Sequence, residues 1–150
     1  MKTKEQTGLN SQGKIIALWT AFLLGMLFHT QLALMPLFHG LNVMESHTHE
    51  YLELHNIMWL MLGVFALPML AMIVTAFTSS RPYRIIHLGL TLVYTVNNAL
   101  HFILDVMVKV PDYQLFLMAF LFVIGLLLNL VSYQWMKESS RSKKALRIVS

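Results

Sequence analysis

The sequence predicts an all-α integral membrane protein, an antiparallel bundle of four spanning helices, and three observations lead there. Apolar residues make up 57% of the 150-residue chain and charged residues only 12%, the profile of a protein dissolved in lipid. The apolar residues gather in four runs, at about 15–38, 54–78, 84–108 and 114–136, each long enough for the roughly 20 residues that cross a hydrocarbon core. When these runs are threaded up and down, Lys and Arg fall almost entirely on one side.

The elements follow in order. Residues 1–14 are a polar N-terminus, the spanning domain covers 15–136, and 137–150 form a basic tail. Span one, from Ile15 to Phe38, follows basic residues but is too long for a cleaved signal peptide. The segment Gly40 to Glu53 is polar and histidine-rich and reads as a loop. Span two carries Pro68, which removes a helix donor and is expected to kink or loosen the helix. The link SSRPYR leads into span three, and VKVPDYQ makes a tight turn into span four. From Leu115 to Val131 span four has hardly any polar group, so it is expected to offer an apolar face to lipid or a partner. The tail is expected to continue as helix along the membrane surface.

Orientation follows from the basic residues. Lys2, Lys4, Lys14, Arg81, Arg84, Lys137, Arg141, Lys143, Lys144 and Arg147 share one side, and only Lys109 lies on the other. The positive-inside rule then puts both termini in the cytoplasm, with a bacterial inner (plasma) membrane as the expected location. The net charge of +4 is thus an orientation signal and not a nucleic-acid footprint.

Span three carries the strongest functional signal. His87, Thr91, Tyr94, Asn98, His101 and Asp105 fall within an arc of about 80° at the helical period. Unpaired polar groups in hydrocarbon cost several kcal/mol each, so this row faces protein, a cofactor or trapped water. Polar groups within a membrane mark a functional site by default. Rise per residue places His29 roughly 12–14 Å, and His101 roughly 12 Å, below the outer surface. Two helices of a bundle can therefore present them to one another. His55 and Asp105 lie shallower, and His39, His47 and His49 sit in the outer loop.

Two chemistries fit this cluster. One is haem b held between His29 and His101, passing one electron at a time, with Gly25 and Gly89 opening room for the ring. His87 and His101, fourteen residues apart on one face, have a spacing that resembles the paired axial histidines of membrane di-haem cytochromes b. No histidine partners His87, which would leave Met69 or Met72 to serve, so one outer haem is expected and not two. The other chemistry is a copper, iron or zinc ion on His29, His55 and His101, with His47 and His49 as an entry site. Imidazole suits all of these metals, and thioethers such as Met26 add a preference for Cu(I). Asp105 follows His101 by four residues and can orient its ring; Asn98 and Tyr94 complete the surroundings.

The sequence contains no cysteine, which excludes disulfides and thiolate ligands. Histidine boxes, a Walker loop and a G-x-S-x-G turn are missing too, so no catalytic activity of its own is expected. The function read here is electron transfer or metal handling, beside a larger membrane complex or in a homo-oligomer. The alternatives are an accessory subunit without a cofactor and an ion or proton conductor. Structural readings compete at each residue: His87 as a hydrogen-bonded link between helices, the loop histidines as solvated turns, and the eleven methionines as packing.

Overall fold

The computed structural model describes residues 9–40 and 54–149. Four helices account for nearly all of them: α1 (Ser11–Phe38), α2 (Leu54–Phe77), α3 (Arg81–Met107) and α4 (Asp112–Val149). All four are long and apolar enough to cross a membrane, and they mark the chain as an integral membrane protein. The loop histidines His47 and His49 lie outside the described residues.

Local chemistry sets the helix ends. α1 starts four residues before its apolar run because Asn10 caps it, its side chain accepting the Gly13 N–H at 2.8 Å. It ends at Phe38, and the chain leaves it through Gly40, whose φ of 72° costs a residue without a Cβ nothing. α3 starts at Arg81 with Pro82 in its first turn, where a missing N–H is harmless. The turn into α4 passes through Lys109 at φ 56° and closes when the Val110 N–H donates to the Asp105 carbonyl at 3.1 Å. α4 then runs unbroken through the basic tail to Val149.

α4 is the centre of the bundle. It packs against both α1 and α3, while α2 packs chiefly on α1. As expected, the fourth span presents an apolar face outward, with Phe116, Phe120, Val123 and Leu130 exposed, but its other face is the core. There Met118, Leu121, Ile124, Leu128 and Trp135 of α4 pack with Ile15, Trp19 and Phe22 of α1 and Tyr94 of α3. The physical reason is shape. A nearly featureless apolar helix can seat close neighbours on several sides, and two glycines bring them in. A Cβ at Gly25 would collide with Leu121, and one at Gly125 would come within 3.1 Å of the Thr95 hydroxyl. The room expected at Gly25 for a cofactor ring is thus filled by α4.

α2 is joined to its neighbours mostly by side chains that reach its backbone. Pro68 has no N–H, so the carbonyl four residues earlier, that of Val64, has no donor within the helix. The Tyr94 hydroxyl of α3 donates to that carbonyl at 2.8 Å. Tyr83 donates in the same way to the Ala71 carbonyl at 2.6 Å. Gln12 of α1 donates to the Thr75 carbonyl at 2.7 Å, beyond which α2 has too little helix left to supply a partner. At the same end, Arg84 donates to the Trp135 carbonyl at 2.6 Å and lies over the Trp135 ring.

Candidate metal centre

The polar arc of α3 points inward, and its two ends meet different surroundings. His87, Thr91, Tyr94, Asn98 and Asp105 are buried, whereas His101 stays half open. Burying so many polar groups inside an apolar bundle is costly unless each finds a partner.

Near the termini, His87 finds partners for both ring nitrogens. The Trp19 indole N–H of α1 donates to its Nε2 at 3.0 Å, so the ring proton belongs on Nδ1. Nδ1 in turn faces the Ser132 hydroxyl of α4 at 3.2 Å. Tyr83, Trp19 and Trp135 surround the ring with centroids 5.8 to 6.3 Å away. His87 is therefore a satisfied link between three helices, with no lone pair free for a metal. Trp19, Ser132 and Trp135 were not singled out in the sequence. The readable signal was that a tryptophan in an apolar span has an N–H to satisfy, and His87 is the acceptor at its level.

At the opposite end, His29 of α1 and His101 of α3 stand together, ring centroids 5.6 Å apart and nearly perpendicular. Counted to the observed helix ends, His29 is nine residues from Phe38 (38 − 29) and His101 six from Met107 (107 − 101). Depth counting thus paired them correctly, although α1 extends a turn further than α3. The Asp105 Oδ2 lies 3.8 Å from the Nε2 of His29 and 3.9 Å from the Nε2 of His101. These separations exceed hydrogen-bond length, and Oδ2 is buried without a partner. Nor has the His29 Nδ1 or the Asn98 Nδ2 a partner. One ligand atom from each of His29, His101 and Asp105 lies within 4.8 Å of the others.

Beside this group is a small cavity of about 90 Å³, lined by polar and apolar residues including Thr30, Asn97, Asn98, Met26 and Met118. Liquid water occupies about 30 Å³ per molecule, so the space suits a few waters or an ion with its remaining ligands.

The other expected residues fall elsewhere. His55 is exposed on α2 and accepts from the Trp59 indole of its own helix at 3.1 Å; it is not part of the group of three. Tyr94 walls the cavity with its ring, but its hydroxyl is committed to the Val64 carbonyl. Asp105, expected to orient His101, is as close to His29 and completes the donor set. Asn98 is buried at the cavity wall as expected, and Asn97 joins it there without having been foreseen as part of the site.

Comparison with known proteins gives no match to a family model, to a curated protein or to a solved structure.

Proposed function

We propose that this is a small membrane protein that binds one divalent transition-metal ion through His29, His101 and Asp105, for metal handling or electron transfer. The observation that carries the reading is the buried, unpartnered Asp105 Oδ2 facing two imidazole Nε2 atoms at nearly equal distance. With metal–ligand bonds near 2.0–2.2 Å, neighbouring ligand atoms around a tetrahedral or trigonal ion stand roughly 3.3–3.6 Å apart. The two gaps to Asp105 are a few tenths of an ångström longer, and the three donors together lie within 4.8 Å, so the imidazoles would draw together on binding by turning about their side-chain bonds. Two imidazoles and a carboxylate suit iron or zinc, while a thioether such as Met26 is what copper in its lower oxidation state would add. An ion is favoured over haem b because one carboxylate oxygen faces both imidazoles at 3.8 and 3.9 Å, whereas a haem iron would hold the two imidazoles on opposite faces of its ring. When bound, the metal supplies Lewis acidity or a one-electron couple. The chain supplies the three donors, a water-poor enclosure, and Asn98 as a hydrogen-bonding neighbour.

Cytoplasmic termini, a bacterial inner membrane and a larger complex around the bundle belong to the same proposal, supported by the placement of Lys and Arg and by the apolar helix faces.

The test is metal loading of the detergent-purified protein. Co²⁺ and Zn²⁺ are expected to bind at one ion per chain, with cobalt giving visible bands of a low-coordinate site. His29→Ala, His101→Ala and Asp105→Ala should each weaken binding at least tenfold, and His55→Ala should leave it unchanged. Equal binding by all four variants would move the site off these residues. A Soret band in the purified protein would restore haem.

A further inference from the structure

A wide groove opens between α2 and α3, where side chains and not close backbone packing hold the two helices together. It encloses about 370 Å³ and is walled by Trp59, Gly63, Leu67, Val93, Tyr94 and Asn97. Trp59 and Val93 are more than 60% exposed, so in a bilayer the groove faces the acyl chains. Its lining is apolar with one exception.

That exception is Asn97. It lies ten residues from the end of α3 (107 − 97), roughly 15 Å along the helix, which puts it within the hydrocarbon zone. Its side chain is exposed and makes no hydrogen bond among the described residues. A bare primary amide there costs several kcal/mol, so the group that covers it must bring a hydrogen-bonding atom. Asn97 and Tyr94 also wall the small cavity beside His29 and His101. The groove therefore leads from lipid to the edge of the candidate metal centre.

We propose that this groove binds a lipid-soluble quinone, with a ring carbonyl accepting from the Asn97 amide and the flat ring lying between Trp59 and Tyr94. An acyl chain would fill the volume but leave the amide unpaired. A helix of a second copy could meet the amide only with a polar side chain of its own at that level, and cross-linking through residue 97 tests for it. A quinone meets all the requirements: it partitions into lipid, has a flat apolar ring that packs well against aromatic faces, and has a carbonyl acceptor at the ring edge. Gly63 forms part of the floor, and a Cβ there would meet nothing within 4 Å, so the ring has space. The proposal concerns binding alone and does not depend on a metal being present.

Trp59 serves as reporter. Protein reconstituted in phosphatidylcholine vesicles is titrated with decylubiquinone while tryptophan emission is followed. Saturable quenching is expected in the parent protein, and it should vanish in Trp59→Phe. Gly63→Leu, whose Cβ meets nothing within 4 Å and whose branch reaches into the groove, and Asn97→Leu, at an exposed position, should each raise the half-saturating concentration at least tenfold. His29→Ala should leave it within twofold, so a failed metal centre and a failed quinone site are told apart. Circular dichroism melting checks that each variant is folded. Three results overturn the proposal: quenching that never saturates in the parent, sensitivity to Gly63→Leu but not to Asn97→Leu (an acyl-chain groove), or cross-linked dimers through residue 97 that persist with quinone present.

Discussion

The two histidine sites of this bundle differ in one respect that separates their roles. His87 is sealed among Trp19, Tyr83, Ser132 and Trp135, with a partner on each ring nitrogen. His29, His101 and Asp105 also converge, at 3.8–3.9 Å, yet leave one buried carboxylate oxygen and one imidazole nitrogen without partners. Buried polar groups in native structures are nearly always paired. A histidine with nothing left to bond is architecture, while a cluster with unfilled positions is one that the proposed metal would complete. Burial alone cannot make this distinction, since His87 is the more deeply buried of the histidines.

The contrast can be broken by substitution. His87→Ala is expected to have the largest effect, about 2–4 kcal/mol of lost stability, because it leaves a cavity and strands the Trp19 N–H donor and the Ser132 hydroxyl together. The melting temperature in detergent measures this, with no change expected in metal affinity. Tyr94→Phe comes next. Tyr94 packs edge-on against Trp19 at 5.3 Å and walls the outer cavity, so it lies between the two sites. Loss of its hydroxyl strands the Val64 carbonyl and should cost about 1–2 kcal/mol, again read from melting. The smallest effect belongs to Asp105→Leu. Without metal it should change stability by less than about 1 kcal/mol, since it removes an oxygen that has no partner to lose. Added Zn²⁺ at a hundred times its dissociation constant should stabilise the parent by about 2.7 kcal/mol and this variant hardly at all. If Asp105→Leu proves as damaging as His87→Ala, the distinction between the two sites fails.

Much of this was legible in the chain. Four apolar runs gave the spans to within a few residues, missing mainly the polar caps at Asn10 and Ser80, and the tail continues as helix as expected. The period of α3 put six polar residues on one face, and rise per residue brought His29 to His101. Partnership across helices was harder to read. Nothing local says that α4, with few polar groups, is the centre, because an apolar surface looks the same whether it meets lipid or protein. His55 stood at a plausible depth but its ring turns along its own helix to Trp59, and rotation about a helix axis is not encoded in depth. Ser132 was not readable as a partner of His87 for the same reason, and Trp19 only through the need of its indole N–H for an acceptor.

Pro68 carries a consequence for biogenesis. Because the hydroxyl that completes the interior of α2 comes from α3, the second helix cannot leave the insertion machinery with its main chain fully bonded. It must either linger at a watery lateral opening or hold a solvent molecule on Val64 until residue 94 is delivered. Synthesis order and structural order thus meet at one bond: until residue 94 is delivered, the Val64 carbonyl depends on a partner other than the one it has in the folded bundle.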